Sequence, residues 1–349
     1  MRTTEEDWRR VKEVTGNNER RLKIAQELHD KHQAEGTLKL YRRIVEDFQE
    51  FCNTEEGLSY ENFGEKEIAN FVLEKCEEKR QDQTYQAAIK PAIRRIEEIR
   101  GISEERTGFT PLINRWLSGA KRRAAELKGP AKKMDMLPIE VVKIIIEREV
   151  WDKIGKIEDI NAIALRTIYR WTVMFFTLCR FNEFKKLKGK HFSTAEGGEG
   201  IKIIFPCAKN DQLHKGQEKM IPKQMGETID PMGLTLVYFR RMGLEMNEAE
   251  EGYINCRINS KGKAVKRRPL GETTAVESAK KLLRDYGAGN IRYGESSAKR
   301  TGTTLALKNG VSVDEVQQIG GWKTAGMPMR YWVSLDENKL DLVTKMNIV

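Results

Sequence analysis

The sequence predicts a mainly α protein: an all-helical N-terminal domain, then an α-rich second domain carrying one small antiparallel β-sheet. Three observations carry that prediction. Apolar residues recur at helical spacing through the first 125 residues. A single stretch, "IKIIFPCAKNDQLHKGQEKMIP" (201–222), sets two strand-like ends on either side of a polar turn. Finally, 349 residues at 39% hydrophobic are enough chain for two cores.

The elements follow in order. Residues 1–36 read as a charged helical extension. "TLKLYRRIVEDFQEFC" puts Leu38, Tyr41, Ile44, Val45, Phe48 and Phe51 on one helical face. "EKEIANFVLEKCEEK" repeats the pattern with Ile68, Phe71, Val72 and Cys76. "TYQAAIKPAIRRIEEIRG" is a third helix, with Pro91 as a candidate kink and Gly101 as a C-cap. "TPLINRWLSGAKRRAAEL" is a fourth, and together these helices make a domain over 37–126. Between about 119 and 136 basic residues crowd: Lys121, Arg122, Arg123, Lys128, Lys132 and Lys133 stand against Glu126 and Asp135. Gly129–Pro130 breaks the chain there, so 127–136 reads as a basic linker. The second domain, 137–349, opens with "LPIEVVKIIIEREV", Pro138 lying near the helix start. A long apolar helix, "NAIALRTIYRWTVMFFTLCRFNEFKKL", comes next, then the hairpin, and helix again from 272.

Composition narrows the function classes. Charged residues make up 33% of the chain, the net charge is +10 and the pI is about 9.2, which points to a polyanionic partner. No run of eighteen apolar residues exists, and the charged start "MRTTEEDWRRVKEV" lacks the apolar core of a signal peptide, so a soluble intracellular protein is expected. The five cysteines are scattered with no Cys-x-x-Cys pair, which argues against a disulfide framework or a zinc site. His29 and His32 share a helical face, but no acidic or cysteine partner completes a metal set.

Several residues stand out for their chemistry. Arg180 follows "MFFTLC", where a guanidinium is costly unless paired, with Glu183 or with a ligand anion. Lys209 lies in the hairpin turn, able to project an ammonium into a cleft or simply to be solvated. In "ESSAKRTGTTLALKNGVSVDEVQQIGGW" a helix stops at Gly310, and Ser312 with Glu315 forms the capping box of the next. That compact pair of helices carries Lys299 and Arg300 and leads to Trp322, nine residues before Tyr331. A basic run, "KGKAVKRRP" (261–269), reads equally as an import signal or a phosphate contact.

Taken in order, Arg180, Lys209 in a β-turn, the block from Ser296 to Trp322, and Tyr331 resemble the tyrosine recombinases, or phage-type integrases. The resemblance is Cre-like, because a tryptophan stands after "GG" where most relatives have histidine, and it spans nearly the whole chain. It implies a SAM-like DNA-clamping core-binding domain, a basic linker on the phosphate backbone (Lys121, Arg122, Arg123, Lys132 and Lys133), and a catalytic domain. The tail "SLDENKLDLVTKMNIV" would dock on a neighbouring subunit. Tyr331 would attack a phosphodiester to give a 3′-phosphotyrosine, Arg180 would clamp the phosphate, Lys209 would protonate the leaving 5′-oxygen, and Trp322 would donate its indole N–H. The family's His-x-x-Arg falls on Ser296-Ser297-Ala298-Lys299 in the gapless register, so serine replaces histidine and lysine replaces the second arginine. A lysine keeps the charge and loses the planar fork, so reduced activity is expected. Arg300 substitutes only if the helix start shifts by one residue, about 100° of rotation.

The resemblance further implies double-stranded DNA as partner, a homo-tetramer on two duplexes, and neither metal, small-molecule cofactor nor membrane. Two alternatives stand beside it: a weakened or inactive DNA-binding protein that keeps the fold, and a monomeric type IB-like topoisomerase.

Overall fold

The computed structural model describes residues 35–77, 83–100, 102, 104–128, 133–206, 216–223 and 229–332. The 1–36 extension up to residue 34, Gly101, Lys132, Lys209 and the C-terminal tail lie outside the described residues. The chain divides into two compact units, 1–132 and 133–349.

Among the described residues, the first unit holds four α-helices: α1 (Glu35–Thr54), α2 (Glu65–Glu77), α3 (Gln83–Ile99) and α4 (Pro111–Lys128). Their apolar stripes meet in one core, with Ile44, Phe48, Ile68, Phe71, Ile89, Ile93 and Ile113 fully buried. Phe48 is its hub, edge-on to Tyr60, Phe63 and Phe71 at 5.1–6.0 Å between centroids. Pro91 does not end α3, which runs on through it with the ring on the exposed side. The buried Glu97 carboxylate accepts from Gly108 N (2.8 Å) and Thr107 Oγ1 (2.6 Å) and pairs with Arg94 (2.8 Å), fixing the link to α4. Lys121, Arg122 and Arg123 lie exposed on α4, opposite the buried Ala120 and Ala124. That basic cluster therefore has helical order.

The second unit begins earlier than composition suggests. Asp135 N donates to Arg292 O, Arg292 N to Asp135 Oδ2, and Leu137 N to the hydroxyl of Thr301. Residues 133–137 are thus tied into this unit. Around α6 (Ala162–Thr177) are arranged α5 (Ile139–Glu149), α7 (Phe181–Phe184), α8 (Pro231–Met242), α9 (Glu272–Asp285), α10 (Ser297–Lys308), α11 (Val313–Gly320) and α12 (Gly326–Tyr331). Asn161 caps α6, its Oδ1 accepting from Ile163 N and Ala164 N at 2.9 and 3.2 Å. The expected hairpin is present as β2 (Gly200–Phe205) and β3 (Gln217–Pro222), antiparallel, with β1 (Phe192–Thr194) added at the edge of β2. A second ribbon, β4 (Cys256–Ile258) with β5 (Ala264–Pro269), absorbs most of the basic run at 261–269. Its alternation is masked by lysine and arginine, so periodicity did not reveal it. Among the described residues, no helix is long and apolar enough to cross a membrane.

The expected single helix over 161–187 is instead broken. Leu178 takes a left-handed conformation (φ 49°), which costs an L-residue about 1–2 kcal/mol. Two interactions offset it. Leu178 is buried beside Val316 and Trp322, and Lys219 Nζ donates to Thr177 O at 2.7 Å, satisfying an end-of-helix carbonyl. After the break, Arg180 is extended and starts α7.

Because Phe48 contacts three rings of the first core, Phe48→Ala should cost about 3–5 kcal/mol in urea unfolding of the full chain.

Candidate active site

The break at Leu178 places Arg180. Its backbone N–H and its Nη1 both donate to Glu183, at 2.7 and 2.8 Å, so one carboxylate caps α7 and pairs the guanidinium. This is the Glu183 partnership anticipated from the sequence, and it leaves the Arg180 side chain 23% exposed. Burial alone would raise the Glu183 carboxyl; hydrogen bonds from Arg180 and the charges of Arg180 and Lys299 hold it below the ordinary carboxylate value.

Lys299 sits on α10, which packs tightly on α6: a Cβ at Gly302 would lie 2.3 Å from Phe175 O. The start of α10 is anchored by a buried ion pair, Arg170 Nε to Glu295 Oε2 at 3.1 Å. Ser296, half-buried, is the N-cap residue, and its hydroxyl makes no capping bond. One turn on, Lys299 is 1% exposed, and its Nζ has no hydrogen-bond partner among the described residues. The ammonium position instead lies over two rings, 4.3 Å from the Trp322 centroid and 5.2 Å from that of Tyr331. Burial first, then the nearby Arg180 and Lys219 charges, push its pKa down to about 7.

The two glycines before Trp322 have separate reasons. Gly321 terminates α11 at φ 60°, while a Cβ at Gly320 would come within 2.4 Å of the Trp322 ring. The expected capping box starts α11: Ser312 Oγ accepts from Glu315 N and Glu315 Oε2 from Ser312 N. Trp322 is then seated at 5% exposure, and its Nε1, a donor only, has no partner among the described residues. Tyr331 stacks on it at 5.3 Å between centroids, 24° between planes. The segment from 323 to 330 ends in α12, and Arg300 holds that helix: Nη1 donates to Tyr331 O at 3.2 Å and Nη2 to Arg330 O at 3.5 Å. Thr304 Oγ1 also donates to Tyr331 O, at 3.4 Å. Arg300 is therefore committed to the carbonyls of the tyrosine helix.

The structure brings Lys299, Trp322 and Tyr331 into contact, with Arg180 among the charges acting on Lys299. Ser296 stands one turn away on the same helix. Lys209 and Lys132 lie outside the described residues, and Lys121, Arg122, Arg123 and Lys133 are exposed far along the chain from these groups. Sequence reasoning missed Lys219. Its amine is buried, lowered by burial and by Arg180 while Cys179 and Glu183 oppose, and lies 5.3 Å from the Phe205 centroid. The available signal was strand alternation: Lys219 shares the buried face of β3 with Ile221, while Met220 points outward.

Among the described residues, the basic groups Arg180, Lys219 and Lys299 thus accompany the Glu183 carboxylate, and the Lys299 Nζ and Trp322 Nε1 donors lack acceptors. Unmet buried donors cost about 1–3 kcal/mol each unless a ligand satisfies them. An anion with several oxygens, such as a phosphate group, is what this site can hold.

The titration of Lys299 gives a stability test. Folded, it releases its proton near pH 7, whereas an unfolded lysine keeps its proton to about pH 10.4. Across that window the unfolded chain binds more protons, so raising the pH stabilises the fold. Urea unfolding at neutral and alkaline pH should show the parent gaining stability with pH more steeply than Lys299→Met.

No family model and no curated protein matches the chain. Solved structures do. A XerH site-specific recombinase bound to difH substrate in a pre-cleavage complex is 17% identical, with a TM-score of 0.55 over 97% of this chain and 84% of that one. The Tn1549 transposon integrase in complex with transposon right-end DNA gives 0.54 at 12% identity, covering 92% and 97%. A lambda integrase tetramer bound to a Holliday junction gives 0.53 at 14% identity, covering 88% and 76%. The chain has the fold of the tyrosine recombinases and integrases.

Proposed function

We propose that the chain is a site-specific DNA recombinase that cuts and rejoins DNA through a 3′-phosphotyrosine. The observation that carries this reading is the contact of Tyr331 with Trp322 and Lys299, two buried groups whose donors are unmet, beside Arg180. In this reading the Tyr331 oxygen attacks phosphorus and the 5′-oxygen departs, so the bond energy is retained for rejoining. Negative charge grows on the non-bridging oxygens, where Arg180, Lys299 and the Trp322 N–H are the donors. Lys209 protonates the 5′-oxygen. Ser296 and Lys299, in place of histidine and arginine, make this a weaker clamp than two arginine forks.

The partner is double-stranded DNA, in keeping with the net charge of +10 and the exposed Lys121, Arg122, Arg123 and Lys133. The working assembly in this reading is a homo-tetramer on two duplexes; the similar lambda integrase structure is a tetramer bound to a Holliday junction. A second reading, a DNA-binding protein with little or no cleavage, is favoured by the complete burial of Lys299 beneath two rings.

A nicked suicide duplex separates the two. The first reading expects an SDS-resistant protein–DNA adduct that Tyr331→Phe abolishes and Arg180→Ala lowers by about 100-fold or more. Salt-sensitive binding with no adduct from the parent chain would leave only the second.

A further inference from the structure

Lys299 has a capacity that an arginine in its place would lack. Its amine is buried without a hydrogen-bond partner among the described residues and lies over the Tyr331 ring. The charged and titratable groups that act on it come from every side: Arg180 and Glu183 of α7, Cys179 just before them, Lys219 of β3, and Tyr331 itself of α12. On its own helix, Arg300 is turned to the carbonyls of residues 330 and 331. The Cys179 thiol, pushed up to about 11 by burial, stays neutral and offers the amine no counter-charge. Glu183 is already paired with Arg180. Burial, then the Arg180 and Lys219 charges, outweigh Glu183 and favour the uncharged amine, with a pKa pushed down to about 7. A guanidinium keeps its proton at any working pH, whereas a neutral amine has a lone pair to accept one.

We propose that Lys299 is the general base of strand cleavage, taking the phenolic proton of Tyr331 as the tyrosine oxygen bonds to phosphorus. The step balances. The phenol O–H bond breaks and its proton moves to Nζ, the O–P bond forms, and the P–O5′ bond breaks with its electron pair going to the 5′-oxygen. That oxygen takes a proton from the general acid, for which Lys209 stands. Lys299 then faces the crowded phosphoryl oxygens as an ammonium, so the proton that activates the nucleophile also supplies the charge that holds the phosphate. Rejoining runs the same transfers backwards. The inference rests on the recombinase reading above.

The test is the rate of adduct formation on the nicked suicide duplex under single-turnover conditions, followed from about pH 6 to about pH 9. For the parent the rate rises with pH to a plateau; bound phosphate favours the ammonium, so the inflection lies at or above that of the free protein. Lys299→Arg keeps the charge, loses that rising limb and falls about 100-fold at neutral pH. Lys299→Ala is restored by added primary amines in proportion to their neutral fraction, and guanidinium does not replace them. The same rising limb in Lys299→Arg, or equal rescue by guanidinium, overturns the inference while the adduct keeps the recombinase reading intact. No adduct from the parent at any pH overturns both.

Discussion

The hydrogen bond from Lys219 to the Thr177 carbonyl holds open the one place where the central helix of the second unit must stop. A helix as apolar as α6 has every reason to continue into "FNEFKKL", and continuation would carry Arg180 around the helix with its neighbours. Instead Leu178 accepts a left-handed backbone and buries its side chain against Val316 and Trp322. The chain then emerges extended, and Glu183 receives Arg180 through both backbone and guanidinium. One strained residue thus joins three parts of the site: the first arginine, the tryptophan that follows α11, and the strand that supplies the buried lysine. Backbone strain of this kind persists only where surrounding contacts over-determine it.

Electrostatics in this pocket works against stability and toward ligand demand. Lys219 and Lys299 are both driven away from their charged forms by burial, and Glu183 is the carboxylate among the groups acting on them. Orphaned donors on Lys299 and Trp322 add a further cost. In the recombinase reading, a phosphate oxygen accepts from the Lys299 and Trp322 donors and offsets these costs.

Helix placement was readable because apolar spacing dictates it: the stripes of α1 to α4 converge on Phe48 and Phe71 as their periodicity requires. The hairpin was readable for the same reason, as was the capping box at Ser312. What escaped the sequence depends on long-range partners. The stop at Leu178 carries no glycine or proline, so no local signal marks it, and its cause lies 41 residues downstream at Lys219. The β4–β5 ribbon escaped because Lys266, Arg267 and Arg268 stand on both faces of β5, so no apolar alternation marks it. At the site, the sequence singles out Lys299, Trp322 and Tyr331, which the structure brings into contact, and Arg180 with Glu183 as its partner. What the sequence does not show is the setting of Lys299: only packing places its buried amine over two aromatic rings.

Arg300 and Thr304 hold the tyrosine helix by its main-chain carbonyls at residues 330 and 331. Such a grip is blind to side-chain identity. The exposed positions of this segment, 323–326, 329 and 330, can therefore change while Tyr331 keeps its anchorage. Conversely, the demand for sameness falls on Arg300 and Thr304, whose bonds to those carbonyls read no side chain. In this fold the freedom to diversify and the obligation to stay fixed lie on opposite sides of the same two carbonyl oxygens.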